Sequence, residues 1–88
     1  MSTFQKLLLA ILSGQSDGNV SFTDLTRLLH RLGFATRVKG SHHIFWRNEI
    51  AEILNLQPLG SKAKPYQVIQ VRELIVKYRL SQLEADDE

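Results

Sequence analysis

The stretch Phe34-Ala35-Thr36-Arg37-Val38-Lys39-Gly40-Ser41-His42-His43-Ile44-Phe45-Trp46 decides the fold. Phe34 to Val38 alternates and is rich in strand-favouring residues, Lys39-Gly40-Ser41 reads as a turn, and His42 to Trp46 follows as a second strand. A hairpin results. Downstream, Arg47-Asn48-Glu49 makes another tight connection, and Ile50 to Leu56 alternates as a third strand that ends at Gln57-Pro58. Period-two alternation puts His42, Ile44 and Trp46 on one face of the hairpin and His43 with Phe45 on the other.

Both flanks of this strand block have helical spacing. Ser2 or Thr3 caps a first helix over residues 3–13, with Phe4, Leu7, Leu8, Ile11 and Leu12 on one stripe, before Ser13-Gly14-Gln15-Ser16-Asp17-Gly18-Asn19 breaks it. Ser21-Phe22-Thr23-Asp24 has the shape of a capping box. Phe22, Leu25, Leu28, Leu29 and Leu32 then form the stripe of a second helix, which Gly33 ends as a C′ residue. After Pro58 a mobile basic loop, Gly60-Ser61-Lys62-Ala63-Lys64, leads to Pro65 at the first position of a last helix with Val68, Val71, Leu74, Ile75 and Tyr78 inward. The expected order is ααβββα: an α+β, two-layer domain with a three-stranded antiparallel sheet, helices on one face, and the other face left for a partner.

Length and composition agree with a single unit. The 88 residues suffice for one core, spanning residues 1–82, with 83–88 as an acidic flexible tail. The chain is 43% hydrophobic with five Gly and two Pro, which excludes low-complexity and collagen-like classes. It has no Cys, so a disulfide framework, a zinc-thiolate site and a thiol nucleophile are all excluded, and a reducing cytoplasm is the expected setting. The longest apolar run, Leu7 to Leu12, is too short for a membrane span or a secretory leader, so no membrane association is expected.

The formal net charge of +2 conceals a basic body, because Glu84, Asp86, Asp87 and Glu88 sit at the end. Residues 1–83 hold eleven bases against five acids, a net +6. From Leu25 to Asn48 there is no acid, while Arg27, Arg31, Arg37, Lys39 and Arg47 are all positive. A phosphate-rich partner fits this field.

Chemistry converges on Arg37 to Phe45. Gly40 allows a turn whose backbone comes close to a phosphate, and Lys39 with Arg37 neutralises its charge. An imidazole can take and give a proton near neutral pH, as activation of a ribose 2′-hydroxyl and protonation of a leaving 5′-oxygen both require. No metal is needed for that route. His42 and His43 point to opposite faces and cannot chelate one ion, so no metal site is expected. Lys62 and Lys64 flank the start of the last helix, where phosphate is also favoured. His30 reads as a surface or boundary residue, and Phe45 and Trp46 as core more than as base-stacking groups. By itself a strand histidine such as His42 is more often structural than catalytic.

Leu28-Leu29-x-x-Leu32-Gly33-Phe34, followed by Lys39-Gly40-Ser41-His42-His43-Ile44-Phe45, a strand ending in Pro58, a Gly-Lys loop and a final amphipathic helix, resembles the HicA family of toxins. The resemblance covers about residues 21–80, and its most specific part is Gly40-Ser41-His42. It implies a double-stranded-RNA-binding-domain-like fold and a small mRNA-cleaving endoribonuclease (an mRNA interferase of a toxin–antitoxin system). That enzyme would be inhibited by a HicB-type antitoxin and use no small-molecule cofactor. It implies that His42, and not His43, is the catalytic residue, with Arg37, Lys39, Gly40, Ser41, Arg47, Lys62 and Lys64 expected to hold RNA.

Two features depart from the family pattern. Members often carry a His shortly after the proline that closes the third strand, where this chain has Leu59-Gly60, and the helix at residues 3–13 is an addition. The competing readings are a non-catalytic RNA-binding module on the same basic surface and a domain for protein interaction alone.

Overall fold

The computed structural model describes residues 2–81. In chain order they form α1 (Thr3–Ser13), a 3-10 turn (Asp17–Asn19), α2 (Phe22–Arg31), β1 (Ala35–Lys39), β2 (His42–Arg47), β3 (Ile50–Leu56), β4 (Pro58–Leu59), β5 (Lys62–Ala63) and α3 (Pro65–Lys77). The sheet is antiparallel with order β1-β2-β3, so the expected ααβββα α+β layout is the observed one. The acidic stretch at 83–88 lies outside the described residues.

The helix ends follow from their sequences. Ser2 Oγ accepts from the Gln5 N–H at 3.1 Å and Gln5 Oε1 accepts from the Ser2 N–H at 3.3 Å, a reciprocal cap for α1. Ser21 Oγ accepts from the Asp24 N–H at 3.2 Å at the head of α2. At its tail Gly33, with φ of 92°, donates to His30 O, and Phe34 donates to Leu29 O, both at 3.0 Å. That pair is a Schellman motif, and the buried Phe34 and Leu29 supply its apolar contact.

The core is one cluster in which α2 and α3 cover the inner face of the sheet and α1 leans on those two helices through Leu8 and Ile11. Phe45, Leu54 and Leu56 face inward, with Phe45 and Leu56 fully buried. Deleting the Phe45 ring would cost about 3–5 kcal/mol through lost burial and the cavity left behind. The inner-face residues Thr36 and Val38 of β1 stay exposed, because the helices cover β2 and β3 and stop short of that edge.

One feature differs from the sequence expectation. The segment after Pro58, expected as a mobile loop, is a short antiparallel ribbon in which Pro58 pairs with Ala63 and Leu59 with Lys62. Gly60 opens its turn with φ of 62°. The ribbon is anchored to the start of α2, where Phe22 N–H donates to Ser61 O at 3.0 Å and Ala63 N–H to Val20 O at 2.9 Å. Arg72 of α3 fixes the long α1–α2 connection: it donates to both carboxylate oxygens of Asp17, at 2.9 and 3.1 Å, and to Ile11 O at 3.1 Å. The Asp17 carboxylate holds the Arg72 guanidinium above its ordinary pKa.

Candidate functional site

The pairing register defines which side chains share a face. Lys39 lies opposite His42, Arg37 opposite Ile44 and Ala35 opposite Trp46, while Ile44 lies opposite Asn55 on β3. Directly opposed residues project to the same side of an antiparallel sheet. The open face therefore carries Ala35, Arg37 and Lys39 on β1, His42, Ile44 and Trp46 on β2, and Ala51, Ile53 and Asn55 on β3. Phe45 lies beneath, in the core.

The hairpin tip is a two-residue loop. Gly40 has φ of 61°, and among the described residues Arg79 is the one non-glycine with positive φ, so Ser41 is on the negative side. Glycine first with positive φ and a second central residue without it is a type II′ turn, whose twist matches that of the strands it joins. A side chain at Gly40 would meet nothing within 4 Å, which leaves the backbone there open to an incoming group.

Two side-chain bonds tie this tip to the end of β3. Gln57 Nε2 donates to Ser41 Oγ at 2.8 Å, and His42 Nδ1 lies 3.1 Å from Asn55 Oδ1. His42, Lys39 and Arg37 are exposed, and among the described residues neither cation has an acidic partner. The site is thus one solvent-facing imidazole, held on one ring nitrogen by an amide, with two uncommitted cations on the neighbouring strand. That arrangement can bind a phosphodiester and pass a proton beside it.

The remaining residues expected at the site are elsewhere. Arg47 is on the inner face at the opposite end of β2, where its Nη1 donates to Leu32 O at 2.7 Å and its Nε to Glu49 at 3.3 Å. Lys62 sits on the β4–β5 ribbon and donates to Asn19 Oδ1 at 2.8 Å. Lys64 is the residue before α3, where its backbone N–H donates to Gln67 Oε1 at 3.3 Å. His43 packs edge-on against Phe22 with ring centroids 4.9 Å apart and so belongs to the inner side, whereas His30, 5.8 Å from Phe45, is exposed on α2, the surface or boundary position expected of it.

Asn55 and Gln57 are site residues that sequence reasoning passed over. Alternation along Ile50 to Leu56 already assigns Asn55 to the odd-numbered face. Its neighbourhood with His42 depends on the β2–β3 register, which slips between Phe45 and Arg47.

Other concavities offer less chemistry. A groove of about 680 Å³ between β3 and α3 includes Glu52, Ile53, Leu54, Glu73, Val76 and Lys77 in its lining. It holds no imidazole, and its Glu52 is committed to Lys77 and Tyr78. Among the described residues no cluster of three or more His, Cys, Asp or Glu could hold a metal ion, and no helix is long and apolar enough to cross a membrane.

No family model, no curated protein and no solved structure matches this chain.

Proposed function

We propose that the chain is a metal-independent endoribonuclease of the HicA type, acting on mRNA in the cytoplasm and neutralised by a HicB-type antitoxin. The observation that carries this reading is the exposed His42, tethered at 3.1 Å to Asn55 and facing the same solvent as Lys39 and Arg37. The Gly40-Ser41-His42 resemblance supports the same assignment.

The reaction needs no co-reactant. The imidazole of His42 takes the proton of a ribose 2′-hydroxyl, the freed oxygen forms a bond to the adjacent phosphorus, and Lys39 stabilises the charge on the phosphorane. The bond from phosphorus to the 5′-oxygen then breaks, and the imidazolium returns its proton to that oxygen. One ring acts twice, as base and then as acid. The products are a 2′,3′-cyclic phosphate and a 5′-hydroxyl. Arg37, Gly40 and Ser41 hold the backbone near the tip, and Lys62 and Lys64 extend the basic surface beyond the sheet.

A second reading also has an observation in its favour. Ile44, Trp46 and the 67%-exposed Ile53 form an apolar strip beside the cations, as on a face that binds single-stranded RNA without cutting it. Labelled RNA incubated in EDTA with the parent protein and with a folded His42→Ala variant separates the two. Cleavage by the parent alone supports the enzyme, whereas binding by both without cleavage identifies the module. No salt-dependent RNA affinity in either protein overturns both readings in favour of a protein-interaction domain.

A further inference from the structure

We propose that Asn55 is a positioning residue that fixes His42 in the tautomer with hydrogen on Nδ1, so that Nε2 is the nitrogen that exchanges protons with RNA. The inference rests on the catalytic reading of His42 and adds to it the identity of the reacting atom and the residue that selects it.

A neutral imidazole has one N–H and one lone pair, and a bond on one nitrogen decides which is which. The Asn55 atom facing Nδ1 is the carbonyl oxygen Oδ1, at 3.1 Å, and an amide oxygen only accepts. Nδ1 therefore donates, and the lone pair of the neutral ring sits on Nε2. Lys39 opposite and Ile44 two residues along offer the ring no side-chain acceptor, and Gln57 at the end of β3 turns its Nε2 to Ser41.

The position also suits the task mechanically. His42 is the first residue of β2, next to a two-residue turn, where a side chain without a tether samples several rotamers. Asn55 is on β3, a separate strand, so its bond ties the ring to the body of the sheet and not to the turn. The second tie, Gln57 Nε2 to Ser41 Oγ at 2.8 Å, holds the turn itself against the same strand end. A base held in this way by a third group is the arrangement that lets a proton acceptor meet its donor in one geometry.

An amide suits this role differently from a carboxylate. It orients the ring without placing a full negative charge beside it, so the imidazolium formed after the first proton transfer is not locked in place and can give its proton up to the leaving oxygen. For a site in which one ring must serve in both directions, a neutral tether is the better match.

The test uses the full chain carrying ¹⁵N-labelled histidine, with the parent, Asn55→Leu and Asn55→Asp compared. Asn55 is exposed and outside the core, and each variant's unfolding curve checks that it folds. At alkaline pH, where the ring is neutral, the two ring nitrogens of His42 give different ¹⁵N shifts. The parent is expected to show hydrogen on Nδ1, Asn55→Leu a mixture of tautomers, and Asn55→Asp the parent pattern, because an acceptor oxygen remains. In RNA cleavage, kcat is expected to fall by about 10- to 100-fold in Asn55→Leu with KM little changed, and to recover only in part in Asn55→Asp, whose oxygen restores the ring's orientation while its charge holds the imidazolium.

Hydrogen on Nε2 in the parent would overturn the inference, since it would mean that the amide presents its NH₂ group to the ring. So would a ring pattern or kcat unchanged by Asn55→Leu. If the parent shows the expected ring pattern but cuts no RNA, the tether stands and the proposed activity falls, so the two failures are distinguishable.

Discussion

Arg47 Nη1 donates to the carbonyl of Leu32 at 2.7 Å, across the boundary between β2 and the end of α2. Its guanidinium also comes within 4 Å of where a side chain on Gly33 would lie. A residue that the charge pattern assigns to RNA is a clamp for the Schellman turn. Arg47→Ala should therefore lower stability by about 2 kcal/mol, the scale of a lost charge-assisted bond that leaves a carbonyl unpaired, and leave RNA affinity close to the parent's. Lys39→Ala should do the reverse: unchanged stability, weaker RNA binding, and a salt slope shallower by about one ion. Urea titration and a binding series at several salt concentrations check both halves.

Glu52 is the clearest pH-sensitive element of the fold. Lys77 Nζ donates to its Oε2 at 2.8 Å and the Tyr78 hydroxyl to its Oε1 at 2.6 Å, and these bonds, Lys77 first, hold the carboxyl down from 4.5 to about 2. A depressed folded value means that Glu52 contributes stability fully above its unfolded value of 4.5, and that the contribution is lost as pH falls towards 2. Lys77 behaves in the opposite sense: Glu52 raises it, so its share is present below 10.5 and is lost as pH rises beyond that value. Unfolding free energies from urea curves at pH 6, 4 and 3 should fall more steeply in the parent than in Glu52→Gln.

Gly40 and Gly18 make a matched pair. Neither would bring a new side chain within 4 Å of another atom, but Gly40 has φ of 61° and Gly18 is not in the left-handed region. Gly40→Ala should cost about 1 kcal/mol from backbone strain alone, lowering Tm by roughly 4–8 °C in a domain of this size. Gly18→Ala should be close to neutral. Differential scanning calorimetry of the two variants separates strain from packing.

The parts of this molecule legible in the sequence are those governed by local chemistry. Phe22, Leu25, Leu28, Leu29 and Leu32 announce α2, Gly33 ends it, and the Gly40-Ser41 pair turns the hairpin, because each acts on its immediate neighbours. Alternation also separates His42 from His43 correctly, since one needs only the period of a strand. What escaped is set by register and by long reach. Asn55 meets His42 only because of how β3 slides along β2. Arg47 is drawn inward by an unpaired carbonyl fifteen residues earlier, and charge alone gives no hint of that. The β4–β5 ribbon escaped because two-residue strands have no period to read. It exists through bonds to Val20 and Phe22, more than thirty-five residues earlier.

If a single imidazole cuts RNA through the neighbouring 2′-hydroxyl, the chemistry of the product ends must record it. RNA digested by the parent in EDTA, with fragment masses read by mass spectrometry, should carry 2′,3′-cyclic phosphate and 5′-hydroxyl ends. The His42→Ala variant should leave it intact, and a fully 2′-O-methylated copy of the same RNA should survive the parent. Fragments ending in 3′-hydroxyl and 5′-phosphate, or the same fragments from His42→Ala, would contradict the account.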